Sequence, residues 1–152
     1  MDVKQQSAQF VTWYGPGIDG TSPTESQWTQ ILSRASDKPV TLINFFKLNA
    51  TATYADGTTG QTGQTGQTGQ EAFASYATAS MPAMERAGGR FLYVGPFQGM
   101  FLGQDEDWDL VAIGAYPDLT ALVALYSDSA YREAFHHRTA ACLRQKVLVC
   151  GD

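Results

Sequence analysis

The sequence predicts an α+β fold on the ferredoxin-like βαββαβ plan, preceded by an N-terminal extension. Three observations carry that expectation. Val40 to Leu48 is a run rich in β-branched and aromatic residues. Glu71 to Arg138 then reads helix, strand, strand, helix, punctuated by a Gly88-Gly89-Arg90 corner and a Trp108-Asp109 strand start. Gln145 to Cys150 closes the series as a last strand.

Residues 1–21 form a polar, turn-rich arm, with Gly15-Pro16-Gly17 and Asp19-Gly20 as breakers. Phe10, Trp13 and Tyr14 are too apolar for a solvated tail, so the arm is expected to pack on the domain that spans 22–152. Ser22-Pro23-Thr24-Glu25 reads as a helix start, with Ser22 as cap and Pro23 in the first turn. Trp28, Ile31 and Leu32 then share one face of a short helix that ends near Arg34.

After the first strand, three Gly-Gln-Thr triplets between Gly60 and Thr68 mark a glycine-rich loop, 56–69, expected to be flexible. Three triplets without proline cannot make a collagen helix. Phe73, Tyr76, Ala77, Ser80, Met84 and Ala87 align on one side of a helix over Glu71–Ala87, with Pro82 expected to kink it and Gly88 to stop it. Arg90 to Leu102 is expected as a strand bent at Gly95-Pro96, and Trp108 to Tyr116 as its antiparallel partner. Pro117-Asp118 caps a helix over Leu119–Tyr126, and a second helical segment runs from beyond Ser127-Asp128 to about Leu143. A sheet covered by helices on one side only leaves an apolar face that a two-fold homodimer would bury.

At 152 residues the chain has the size of one domain, and an apolar share of 43% is enough for a real core. Fifteen acidic against ten basic side chains give a net charge of −5, which argues against phosphate-backbone binding and so against nucleic acid as partner. Apolar runs stay far short of the roughly 20 residues of a membrane span. Met1 to Gln6 carry no apolar segment of the secretory kind, and Cys142 and Cys150 read as free thiols in a reducing, cytoplasmic setting. Zinc-ligand spacing, phosphate loops, dinucleotide fingerprints and nucleophile elbows are all missing, so no metal or organic cofactor is expected.

Val40-Thr41-Leu42-Ile43-Asn44-Phe45-Phe46-Lys47 resembles the opening strand of the DUF1330 family, in the dimeric α/β-barrel superfamily. Gly69-Gln70-Glu71-Ala72-Phe73-Ala74-Ser75-Tyr76 is similar to its "G-E-E-A-Y-x-x-Y" helix start. The Gly88-Gly89-Arg90 corner, Trp108-Asp109, Tyr116-Pro117, and Tyr131 with His137-Arg138-Thr139-Ala140-Ala141 extend the likeness over roughly 22–149. The resemblance implies a ferredoxin-like protomer that dimerises through its sheets. It does not imply one reaction, since related barrels include cofactor-free monooxygenases, polyketide cyclases, lactone isomerases, dehalogenating enzymes and haem proteins. The triplet loop and the aromatic arm depart from the shorter family pattern.

Several polar residues sit where chemistry could use them. Asn44 alternates with Val40, Leu42, Phe46 and Leu48, so its amide faces the apolar side, either as a satisfied core group or as a ligand-orienting one. Arg138 falls on the inward stripe of its helix and wants a carboxylate, internal or on a ligand. Arg90 guards a strand end or is simply a surface residue. Tyr76, Tyr93 and Tyr131 offer hydroxyl donors or plain core rings. His137 titrates near neutrality and is a candidate proton carrier, or else a partner of its helix dipole. His136 should point about 100° away from it, out of any shared site. Asp109 beside Trp108 is a candidate base or a turn residue.

The function expected is a small-molecule enzyme without organic cofactor. Its chemistry would be acid/base cyclisation, isomerisation or elimination of a hydrophobic, aromatic or polyketide-like metabolite. His137 or Asp109 would move the proton, while Asn44, Tyr76, Arg90, Tyr131 and Arg138 bind substrate. A non-catalytic carrier of an apolar metabolite and a purely structural homodimer are the alternatives.

Overall fold

The computed structural model describes residues 1–55, 61–62 and 65–152. Four strands form one antiparallel sheet: β1 (Val40–Leu48), β4 (Arg90–Pro96), β5 (Leu110–Tyr116) and β6 (Cys142–Gly151), in the order β4-β5-β1-β6. That is the order a ferredoxin-like βαββαβ chain gives, and the expected fold class is the one found. A two-residue ladder, β2 (Gln61–Thr62) with β3 (Thr65–Gly66), stands apart in the triplet segment. The flexibility expected of 56–69 falls largely on 56–60 and 63–64, outside the described residues.

The described residues also form five helices: α1 (Val3–Tyr14), α2 (Glu25–Leu32), α3 (Gly69–Ala87), α4 (Leu119–Ser127) and α5 (Ser129–Ala141). The N-terminal arm is therefore a helix up to Tyr14 rather than a string of turns. Asp2 and Gln5 close a capping box at its start, a signal the polar composition hides. Its apolar side is pinned down: Phe10 stacks on Trp28 at 4.4 Å, and the Tyr14 hydroxyl donates to the Tyr126 carbonyl at 2.6 Å. Thr29 donates to the buried Ser7 hydroxyl, tying α1 to α2.

The α2 cap is Thr24 with Gln27, not Ser22 with Glu25. Pro23 before the cap cannot donate, whereas the Thr24 hydroxyl reaches the Gln27 amide. Helix α3 begins two residues early, at Gly69, because Thr68 and Glu71 form a reciprocal box. It continues through Pro82 and ends at Gly88, whose φ of 91° suits glycine. Strand β4 stops at Pro96 and β5 starts at Leu110, so the strands are shorter than their apolar sequence suggested. Residues 97–109 form a long connection instead, turned at Gly99 and Gly103.

On β1, Val40, Leu42, Asn44 and Phe46 are buried while Thr41, Ile43 and Phe45 are not, the two-residue alternation of a sheet covered on one side. The helices lie on the buried side, with Phe46 against Phe73 of α3 at 4.8 Å. Cross-strand pairing puts Ile43, Ile113, Leu148 and Tyr93 in one row on the opposite face. The connection 97–109 folds over one end of that face. Trp108 packs on Phe45, Lys47 bridges Asp107 and Asp109, and Lys146 pairs with Glu106. Phe101 at its tip is fully exposed. Register slips between Phe91 and Tyr93, a bulge on the edge strand β4.

Gly69 sits where two backbones meet. A Cβ there would lie 2.1 Å from the Asn49 carbonyl oxygen and 2.8 Å from that of Ala141, neither able to swing away. Gly69→Ala is expected to destabilise the chain by roughly 1–3 kcal/mol. Urea unfolding checks this, and an unchanged midpoint contradicts the close approach.

Candidate functional site

A cavity of about 70 Å³ lies between α3 and the helix-facing side of the sheet. Its walls are apolar, with Leu42, Phe46, Phe73, Met84, Phe91 and Val94 among them. Exposed Met81, Phe91 and Val94 mark its mouth, between α3 and β4. The inner end is polar and is built by three elements: Asn44 from β1, Tyr76 from α3, and Tyr131 and Arg138 from α5, with Tyr116 and Tyr126 beside them. Strand alternation sends Asn44 inward, and the seven-residue spacing of Tyr131 and Arg138 puts them two turns apart on one side of α5.

These groups are joined in one chain of hydrogen bonds. Asn44 donates through Nδ2 to the Ala112 carbonyl at 3.0 Å and accepts through Oδ1 from Arg138 Nη2 at 3.3 Å. Arg138 Nη1 donates to the Tyr76 hydroxyl at 3.2 Å, and that hydroxyl meets the Tyr131 hydroxyl at 2.8 Å. Arg138 Nε donates to Gln145 Oε1 at 2.8 Å. The carboxylate expected for Arg138 is absent among the described residues; neutral oxygens take its place. Burial opposes the guanidinium's charge, yet it titrates well above its ordinary value, with Tyr76 and Tyr131 the leading groups holding it there. It is charged at neutral pH. Burial raises the Tyr131 phenol well above its usual range, so it acts there as a proton-bearing donor and not as a base.

Four of the anticipated residues thus converge: Asn44, Tyr76, Tyr131 and Arg138. Arg90, Asp109, Tyr93 and His137 lie elsewhere. Arg90 is exposed at the start of β4, outside the cavity lining. Asp109 accepts from the Leu48 amide at 2.8 Å and faces Lys47, fastening the 97–109 connection to β1. Tyr93, weighed as a further hydroxyl donor, is exposed and caps the Pro96 carbonyl. His137 lies beside Tyr54, whose hydroxyl is 2.8 Å from Nδ1 and also donates toward Gln67 Oε1 at 2.9 Å. It is part of the clasp that holds the residues flanking the triplets to α5, together with the Asn49 and Thr53 amides on the Ala141 and Ala140 carbonyls. His136 does not point away from it: the two rings are 4.0 Å apart, brought together against Tyr54. Side-chain rotation about Cβ overrides the 100° separation of the helical positions.

Tyr126, Tyr116 and Gln145 are the residues the sequence concealed. In the sequence the two tyrosines stand only as the ends of a strand and a helix, and Gln145 reaches Arg138 only because β6 starts directly where α5 ends. Among the described residues no group of three or more metal-ligating side chains is found, and no helix is long and apolar enough to cross a membrane. No carboxylate, histidine or lysine lines the cavity among those residues.

The family model of DUF1330, a domain of unknown function, matches residues 63–152. The fold is similar to that of two crystal structures, one of methylated RPA0582 and one of RPA0582 from Rhodopseudomonas palustris, a protein of unknown function. The first superposes with a TM-score of 0.75 at 34% identity, covering 87% of this chain and 93% of that one. The second gives 0.74 at 34%, covering 87% and 95%. No curated protein matches the chain.

Burial first, and His136 second, lower the His137 pKa from its ordinary 6.5. An NMR titration should place its midpoint below 6.5, rising in His136→Gln. The unfolded chain binds that proton more readily, so His137 favours folding above 6.5 and loses this contribution as pH falls through the folded midpoint. A midpoint at or above the ordinary value contradicts the environment described.

Proposed function

The chain belongs to the DUF1330 family, and from that premise we propose that it is a small-molecule enzyme working without an organic cofactor in the cavity beneath α3. The substrate is hydrophobic, aromatic or polyketide-like, and presents an oxygen to Arg138 and Tyr76. One observation carries this reading: an apolar cavity ends in a cation and a phenol, both held by their own partners rather than by each other alone. Such fixed donors among apolar walls lower the energy of charge developing on a carbonyl oxygen. Cyclisation, isomerisation or elimination of a 1,3-dicarbonyl system that enters already ionised as its enolate fits best, because its acidic C–H proton has then gone to solvent water before binding and no protein base is needed. His137 and Asp109 lie outside this cavity, so the Tyr131–Tyr76 pair takes the role of proton donor.

A second reading is supported by the lack of a carboxylate, histidine or lysine in the described lining: a carrier that binds the same kind of molecule and releases it unchanged. Mass spectrometry of compounds that co-purify, followed by incubation with the identified compound, separates the two. Enzymatic turnover is expected, reduced about 100- to 1,000-fold in Tyr76→Phe, as for the loss of one oxyanion donor. Quantitative recovery of unchanged ligand selects the carrier.

We also propose that two copies pair through the open sheet face, the row of Ile43, Ile113 and Leu148 supplying apolar surface. Sedimentation at micromolar concentration should give a dimer, and Ile43→Lys with Leu148→Glu a monomer. A monomeric parent protein removes this assembly.

A further inference from the structure

Arg138 is 4% exposed, and all three of its recorded acceptors are neutral: Gln145 Oε1, the Tyr76 hydroxyl and Asn44 Oδ1. A guanidinium carries five N–H groups; three have these acceptors, and the only further oxygen beside them is the Tyr126 hydroxyl, also neutral, among the described residues. No ion pair of those residues includes Arg138. The rings of Phe46 and Phe135 lie 4.8 and 5.3 Å from its Cζ, and its place in the last turn of α5 sets it near partial negative charge. These are quadrupoles and dipoles, weaker than a countercharge. A buried cation is ordinarily matched by an anion, and the chain has fifteen carboxylate side chains yet places none in the described cavity lining. The cation lines a cavity with an open mouth, so the missing charge can enter from solvent.

We propose that the species this cavity binds is an organic monoanion, an apolar body ending in a carboxylate or enolate whose oxygens supply the countercharge and accept from Arg138. The inference rests on the small-molecule reading above and adds the charge state of the ligand. Arg138 is the specificity-determining residue: it selects the anion over a neutral molecule of equal shape. Removing an acceptor charge from the ligand leaves the guanidinium as it is in the empty protein, so neutral isosteres gain only apolar contact. Arginine does not titrate near neutrality, so binding of a carboxylate stays constant from pH 6 to 9 and declines only where the ligand itself takes up a proton.

Calorimetric titration of the full chain tests this with benzoate, phenylacetate and 3-phenylpropionate, each against its primary amide. Benzoylacetone, followed by its ultraviolet spectrum across its own ionisation, reports the enolate form. At least one acid, or the enolate, is expected to bind one per chain and at least 10-fold tighter than its neutral counterpart. Arg138→Met should abolish that preference and Arg138→Lys should keep part of it. Should Arg138→Met fail to fold, the acid-to-amide ratio in the unaltered protein and the response of Arg138→Lys still decide the matter. Amides that bind as tightly as acids overturn the charge selection while leaving the small-molecule reading intact. Failure of every probe, charged and neutral, overturns both.

Discussion

Strand β1 is the constraint on which the molecule is organised. It is paired on both edges, to β5 and to β6, so its register is fixed from two sides and its side chains have no freedom to change face. Val40, Leu42 and Phe46 are thereby committed to the core, and Asn44 is committed with them. An amide forced into that position must be satisfied, and it is, by a carbonyl of β5 on one side and the α5 guanidinium on the other. The polar end of the cavity is therefore a consequence of sheet register. A one-residue slip would send Asn44 to the open face and leave Arg138 with two acceptors instead of three.

The helices answer that commitment from above. Helix α3 contributes the ring and hydroxyl of Tyr76, and α5 contributes Tyr131 and Arg138; Tyr76 bonds to both. Apolar burial holds the two helices on the sheet, while the hydrogen-bonded chain fixes which rotamers they present. The N-terminal helix supports this layer without touching the cavity: Tyr14 packs edge-on against Phe135 and bonds to the end of α4. What looks in sequence like an appendage is part of the scaffold that keeps α5 in place.

Much of the fold was legible because period and punctuation agree with it. Val40–Leu48, the Gly88 stop and the Asp118 cap are local signals whose meaning does not depend on the rest of the chain. The errors arise where a distant contact decides. Apolar residues 97–102 promise strand, yet Gly99, Gly103 and the salt bridges of Lys47 and Lys146 turn them into a connection over the sheet. In the site, Asn44 and Arg138 could be found because polar residues interrupt apolar stripes. Tyr116, Tyr126 and Gln145 could not, since nothing local distinguishes a phenol in a core from one lining a void. His137 misled for the opposite reason. Its intrinsic pKa suggests chemistry, while the Tyr54 hydroxyl beside it, which also bonds to Gln67, makes it a fastening.

The bulge at Phe91–Tyr93 has a further effect. Strand β4 is an edge of the sheet, and Leu92 and Val94 along it are both about half exposed, the composition of a strand that could recruit another. The irregular register breaks the outward row of amides and carbonyls, and Pro96 ends it with a residue that has no N–H to offer. Templated stacking of chains into fibrils through this border is thus discouraged by backbone geometry alone, which lets the sequence keep Phe91 and Val94 there for the entrance they frame.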